Sequence, residues 1–174
     1  VDANQAWTFN EAERRISYLA RSHLAWIEEP IAADRPSEEW QHLTSIGPRL
    51  AAGENLRGKD AFQAALDAGV AVIQPDAIKW GGLSGAREVA RLCRQHQVLW
   101  APHYLAGGVG LAATAHLAVA QRASYLEMDV NPNPLRDGLL GDALTIEDGF
   151  VALADRPGHG ATPDTELVDR YTIA

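Results

Sequence analysis

The stretch Trp26-Ile27-Glu28-Glu29-Pro30 decides how this chain is read. An apolar run that stops abruptly in two adjacent carboxylates and a proline is costly unless the charge meets a cationic partner. Glu28 stands 26 residues after Asp2 and 26 before Glu54, and each of these carboxylates closes a short apolar run. The polar residues that close successive runs are Asp2, Glu28, Glu54, Asp76, His103 and Glu127, separated by 26, 26, 22, 27 and 24 residues. Those are the lengths of strand–helix units. A self-similar period of this size predicts parallel strands covered by helices, either as a barrel or as a doubly wound sheet.

The two architectures differ in where polar strand ends fall. A (β/α)8 barrel presents every strand's C-terminal end to one rim, whereas a doubly wound sheet gathers only a few at its switch point. Six chemically capable residues on six successive strand ends favour the barrel. The expected fold class is therefore α/β, a parallel (β/α) barrel of about six units. That is two short of closure, and open sheet edges call for partners. The chain reads as part of a longer protein, with residues 1–153 forming the C-terminal part of a barrel and residues 154–174 an irregular tail.

Local signals agree with this period. Thr8 followed by Glu11 forms a capping-box signature, with Ala12, Ile16 and Leu19 at helical spacing after it, so residues 8–22 are expected to be helical. Asp34-Arg35-Pro36 opens a second helix, residues 59–67 form a third stopped by Gly69, and residues 84–95 and 111–121 form two more. Residues 70–74 are nearly all apolar, as a parallel strand covered on both faces should be. Residues 98–101 and 125–126 complete the strand series. After Glu127 the composition shifts to Asn, Pro, Asp and Gly. Residues 131–141 read as loop, 144–153 as a hairpin around Asp148-Gly149, and 156 onward as irregular.

Composition excludes several classes of partner. A formal net charge of −8 with no clustered Lys or Arg disfavours nucleic acid. No apolar run approaches the roughly 20 residues that span a bilayer, so no membrane association is expected. The lone Cys93 cannot form an internal disulfide, which points to a reducing, cytoplasmic compartment.

Asp2, Glu28 and Glu54 on adjacent strand ends supply three hard oxygen ligands suited to Mg²⁺; without a cation such neighbours repel. The alternative is that each is a solvated strand-end residue. Glu29, next to Glu28 and so on the opposite strand face, is expected to be a structural ion-pair partner. Asp76 and His103 on successive strand ends form a candidate general-base dyad, the carboxylate orienting the imidazole. Glu127 suits either a protonated donor to an oxyanion or a structural carboxylate. Lys79, three residues past Asp76, falls by alternation on the other face and reads as near the substrate site but secondary to it. Gly81-Gly82 and Gly107-Gly108 fit an anion cradle or a tight turn equally well.

Taken together, Asp2-Ala3-Asn4-Gln5, Trp26-Ile27-Glu28-Glu29-Pro30, Gly53-Glu54-Asn55, Gln74-Pro75-Asp76-Ala77-Ile78-Lys79 with Gly81-Gly82, Pro102-His103 and Leu126-Glu127 resemble the enolase superfamily in its mandelate racemase subgroup. The resemblance implies a modified barrel preceded by a capping domain, with Mg²⁺ on Asp2, Glu28 and Glu54, and abstraction of a proton α to a carboxylate. It implies His103 as base or acid, Asp76 as its partner, Glu127 as donor to the substrate carboxylate, and Asn4 touching the substrate or the groups around it. The family's other acid/base, a second-strand lysine, and its capping domain are expected outside these residues. Asn131-Pro132-Asn133-Pro134-Leu135-Arg136 resembles the loop after the last strand in acid-sugar dehydratases of the subgroup. Pro157-Gly158-His159-Gly160 departs from the family's usual Pro-Gly-Leu-Gly. The expected activity is Mg²⁺-dependent dehydration of an aldonic or aldaric acid; the alternatives are a racemase or epimerase of a 2-hydroxy acid, and a silent paralogue that only binds a sugar acid. The expected partners are a small-molecule carboxylate and, in the full-length protein, further copies of itself.

Overall fold

The computed structural model describes residues 1–173. Helix α1 (Phe9–Leu19) is capped by Thr8, whose hydroxyl accepts from the Glu11 N–H, and runs into a 3₁₀ turn, Ala20–Ser22. Only half of the expected capping box forms, because the Glu11 carboxylate turns outward to Arg15 at 2.8 Å. The chain then alternates β1 (Ile27–Glu28), α2 (Ser37–Ser45), β2 (Leu50–Ala52), α3 (Lys59–Asp67), β3 (Val72–Ile73) and α4 (Gly82–His96). It continues with β4 (Leu99–Trp100), β5 (His103–Tyr104), α5 (Gly108–Ala120) and β6 (Glu127–Met128).

These strands are parallel, in the order β1-β2-β3-β4, with β5 paired to β6. Asp2 adds a parallel bridge to Glu28. β4 and β5 are one line of chain interrupted at Ala101-Pro102, where proline lacks the N–H that a ladder needs. Across that break the Glu127 N–H donates to the Pro102 carbonyl at 3.0 Å and the His103 N–H to the Pro75 carbonyl at 3.2 Å, so the sheet carries on to β6. The result is a partial parallel barrel whose sheet does not close on itself among the described residues.

Side-chain alternation sets the layers. Ile27, Leu50, Ala52, Ile73 and Trp100 point outward and pack with Ala12, Ile16, Leu43, Phe62, Leu66, Val89 and Cys93 of the helices. Ala51, Val72 and Ala101 point inward, with Trp26 and Leu99 against them. The same parity carries Glu28, Gln74, Asp76 and His103 to the inner face, and this is what assembles the site. Gly53 is needed where β2 passes β3, since its φ is +149° and a Cβ there would lie 2.7 Å from the Gln74 nitrogen.

The segment after β6 is more ordered than its composition suggests. Residues 131–141, expected as loop, contain α6 (Pro134–Leu140), and the 156-onward segment, expected as irregular, contains α7 (Thr165–Tyr171). Both starts carry a cap: the Asn133 side chain accepts from the Arg136 N–H, with Pro134 in the first helical turn, and the Asp164 side chain accepts from the N–H groups of Glu166 and Leu167. The expected hairpin is present as β7 (Leu144–Glu147) against β8 (Phe150–Leu153). A second apolar cluster, including Leu111, Ala115, Leu140 and Leu144, ties α5 to α6 and the hairpin. Gly108 permits that docking, because a Cβ there would sit 2.3 Å from the Arg136 carbonyl oxygen. Asn133→Ala is expected to cost about 1 kcal/mol of local stability, read as faster amide hydrogen exchange across α6. No helix among the described residues is long and apolar enough to cross a membrane.

Candidate active site

Every polar strand-end residue named from the sequence lies on the C-terminal rim of the partial barrel. His103 opens β5 and is the most enclosed of them, 1% exposed. Its Nδ1 is 3.1 Å from Asp76 Oδ2, and its Nε2 forms an ion-pair contact with Glu54 Oε2. The other Asp76 oxygen accepts from the N–H groups of Ile78 at 2.8 Å and Lys79 at 3.1 Å, so the turn after β3 fixes the carboxylate before the imidazole meets it. Burial alone would pull the His103 imidazole down, but its contacts with Asp76 and Glu54 and the charges of Glu54 and Glu127 bring it up to about 9. Burial opposes ionisation of Asp76 as well, and the hydrogen bonds from His103 and the two amides outweigh it, holding the carboxyl below its ordinary value. Glu54 is lowered to about 2, first by its contact with His103.

On the same rim Glu28 is 6% exposed, and Oε2 accepts from the Trp26 indole at 3.2 Å. Asp2 is exposed and bonded by Asn4, whose backbone and side-chain nitrogens lie 2.8 and 2.6 Å from its two oxygens. Among the described residues no three His, Cys, Asp or Glu side chains are gathered closely enough to hold a metal ion. Glu54 is turned to His103 and to Lys79, and Asp2 to Asn4, so the three carboxylates share a rim without facing one point. The donor set nevertheless suits a hard divalent cation: three carboxylates stand on neighbouring strand ends, and one of them, Glu28, is buried with no cationic partner among the described residues.

Two expectations about this rim are corrected. Lys79, placed on the far face by alternation, sits in a turn after β3, where the two-residue strand period no longer applies; its Nζ donates to Glu54 Oε1 at 3.1 Å. Glu29, expected to have an ion-pair partner, has none among the described residues. Its Oε2 accepts instead from the side-chain amides of Gln5 at 2.9 Å and Asn55 at 2.8 Å. Burial raises the Glu29 carboxyl above its usual value; the two amides oppose this, and the charges of Glu54 and Glu28 add to it.

In the sequence Gln74 is legible only as the end of a strand, yet it is fully buried and its Nε2 donates to Glu127 Oε2 at 2.7 Å across 53 residues of sequence. The parity it shares with Asp76 is the signal that finds it. Burial, then the charge of Glu28, raises the Glu127 carboxyl, while Gln74 occupies one oxygen and leaves the other for a ligand or a proton.

The chain matches the family described as enolase C-terminal domain-like over residues 1–167. It is 27% identical over 172 residues to an arabinonate dehydratase of Saccharolobus solfataricus, covering 98% of this chain and 46% of that protein. Among solved structures it is similar to a mandelate racemase/muconate lactonizing enzyme from Bordetella bronchiseptica RB50, at 41% identity and a TM-score of 0.89, covering 97% of this chain and 48% of that one. A racemase from Streptomyces coelicolor A3(2) with bound magnesium is similar at 31% identity and a TM-score of 0.84, over 99% and 46% of the two chains. The chain thus spans about half the length of the curated relatives it matches. With the family covering residues 1–167 and with this rim of acids and a histidine on parallel strand ends, the chain belongs to the enolase superfamily, in its mandelate racemase subgroup.

Proposed function

We propose that, within its full-length protein, this chain carries the proton-transfer face of a Mg²⁺-dependent acid-sugar dehydratase. The observation that carries the reading is the buried His103, hydrogen-bonded through Nδ1 to Asp76 and turning Nε2 toward the carboxylates of the rim. Asp76 fixes the ring orientation and stabilises the imidazolium, which leaves Nε2 as the nitrogen that exchanges a proton with substrate. In dehydration the proton α to the substrate carboxylate passes to a base, the second-strand lysine expected in the full-length protein, and protonated His103 gives its Nε2 proton to the departing β-hydroxyl, which leaves as water. The enol product then becomes a 2-keto acid. Asp2, Glu28 and Glu54 are the residues that would hold Mg²⁺, a cation that supplies fixed positive charge beside the substrate carboxylate. Glu127, held by Gln74, would donate to a carboxylate oxygen of the substrate as charge builds there. Asn4 and Lys79 would border the substrate. The arabinonate dehydratase supports this reading by its reaction, and the magnesium-bound racemase by its metal.

The second reading is a racemase or epimerase of a 2-hydroxy acid, favoured by the similarity to that racemase. Both begin with removal of the α-proton and part at the next step. Incubating the full-length protein and Mg²⁺ with aldonic and aldaric acids in D₂O separates them: a 2-keto acid product marks dehydration, and α-deuterium with inversion but no 2-keto acid marks racemisation. Activity in either case is expected to disappear on chelation with EDTA and return with Mg²⁺. Cation binding without product or exchange from any acid would overturn both readings and leave a silent sugar-acid binder.

A further inference from the structure

Glu29 is the rim residue to which the proposed chemistry gives no role, and it combines three local costs. Among the described residues it is a carboxylate only 3% exposed with no cation against it, and its Oε1 has no hydrogen-bond partner; its backbone, at φ 38°, lies in the left-handed region that side chains other than glycine rarely adopt. Such costs persist where the surroundings over-determine a residue, and here they do. The Glu29 N–H donates to the Ala51 carbonyl at 2.9 Å, and its carbonyl accepts from the Gln5 N–H at 2.7 Å. Oε2 accepts from Gln5 Nε2 and Asn55 Nδ2, Gln5 Oε1 accepts from the Ala33 N–H at 2.9 Å, and the same Asn55 amide reaches Glu54 Oε1 at 2.9 Å.

The positions of these partners give the pattern its meaning. Gln5 follows Asp2 by three residues, Glu29 follows Glu28 by one, and Asn55 follows Glu54 by one. One buried carboxylate therefore ties together the turns that leave the three strands bearing the proposed cation ligands. An apolar side chain in the same space could pack there, but it could not accept from two amides arriving from two different turns. Groups behind a metal's ligands commonly set their orientation in this way.

We infer that Glu29 is a positioning residue for the cation site, its carboxylate clamping Gln5 and Asn55 so that the turns carrying Asp2, Glu28 and Glu54 can present their ligands to one ion. This rests on the Mg²⁺ reading proposed above, and its test uses a metal alone rather than turnover. Mn²⁺ is titrated into the full-length protein, free Mn²⁺ is followed by electron paramagnetic resonance, and folding of each variant is checked by its cooperative melt. Glu29→Ala weakens Mn²⁺ binding by roughly 10–100-fold. Glu29→Gln keeps an oxygen that accepts from both amides and stays close to wild type, a rescue that a role in charge alone does not predict. A folded Glu29→Ala that binds as wild type overturns the inference, as does a Glu29→Gln as weak as the alanine variant. If Glu29→Ala does not fold, Gln5→Ala and Asn55→Ala each remove one strut and each weaken binding; wild-type affinity in both overturns it. A wild-type protein that binds no Mn²⁺ is a different result, since it sinks the cation reading itself and this inference with it.

Discussion

Replacing His103 with asparagine in the full-length protein is expected to lower kcat by roughly 10²–10⁴-fold, the usual worth of a positioned acid/base group. Asparagine places an amide near the position of Nδ1 and can keep a hydrogen bond to Asp76 Oδ2, so little of the packing around this 1%-exposed side chain is lost. What disappears is any group at the position of Nε2 able to exchange a proton. KM should change far less than kcat, because an interaction made in the transition state is being removed. Asp76→Asn tests the orienting role. It leaves the imidazole in place without the carboxylate that favours its protonated form, and is expected to reduce kcat as well. Steady-state kinetics on an acid sugar identified in the library screen, alongside thermal melts of both variants, decide the matter. Full turnover by His103→Asn would remove the proposed mechanism.

The largest effect on stability is expected from Phe62→Ala. Phe62 is 1% exposed on the inner face of α3, with its ring centroid 5.6 Å from that of Trp80. Truncating a fully buried phenylalanine costs about 3–5 kcal/mol, from lost transfer energy and from the cavity left behind. That is a large share of the roughly 5–15 kcal/mol by which domains are stable. The change also reaches the site. Trp80 ends the turn whose Ile78 and Lys79 amides hold Asp76, and its own N–H donates to the Asp76 carbonyl at 3.1 Å. Denaturant unfolding of the full-length variant should show a lower midpoint with little change in slope. A loss below about 1 kcal/mol would contradict the place of Phe62 in the core, since deletion of a buried ring is costlier than that.

The features legible in the amino-acid pattern follow from local rules that hold in every parallel α/β fold. The spacing of Asp2, Glu28, Glu54, Asp76, His103 and Glu127 locates six strand ends, and α3 falls on the residues expected of it. Predicted strands run longer than the ladders, residues 70–74 against Val72–Ile73, because apolar patterning records burial whereas a ladder records pairing. Asn133-Pro134 and Asp164 look like loop punctuation although both are helix-start signals, since short helices held by caps carry too few turns to show a period.

The parallel order, the shared rim and the identity of the acids and the histidine on it are written in the chain itself, because strand period and strand-end chemistry are encoded within a few residues of each position. Which side chain meets which on that rim is a matter of three-dimensional packing: His103 and Lys79 on Glu54, Gln74 on Glu127 and two amides on Glu29. Those pairings join residues 24 to 53 positions apart, and those of Lys79, Gln5 and Asn55 run through turns where alternation has ended. Their partners are chosen by burial and by the need to satisfy every enclosed polar group, which no local pattern records.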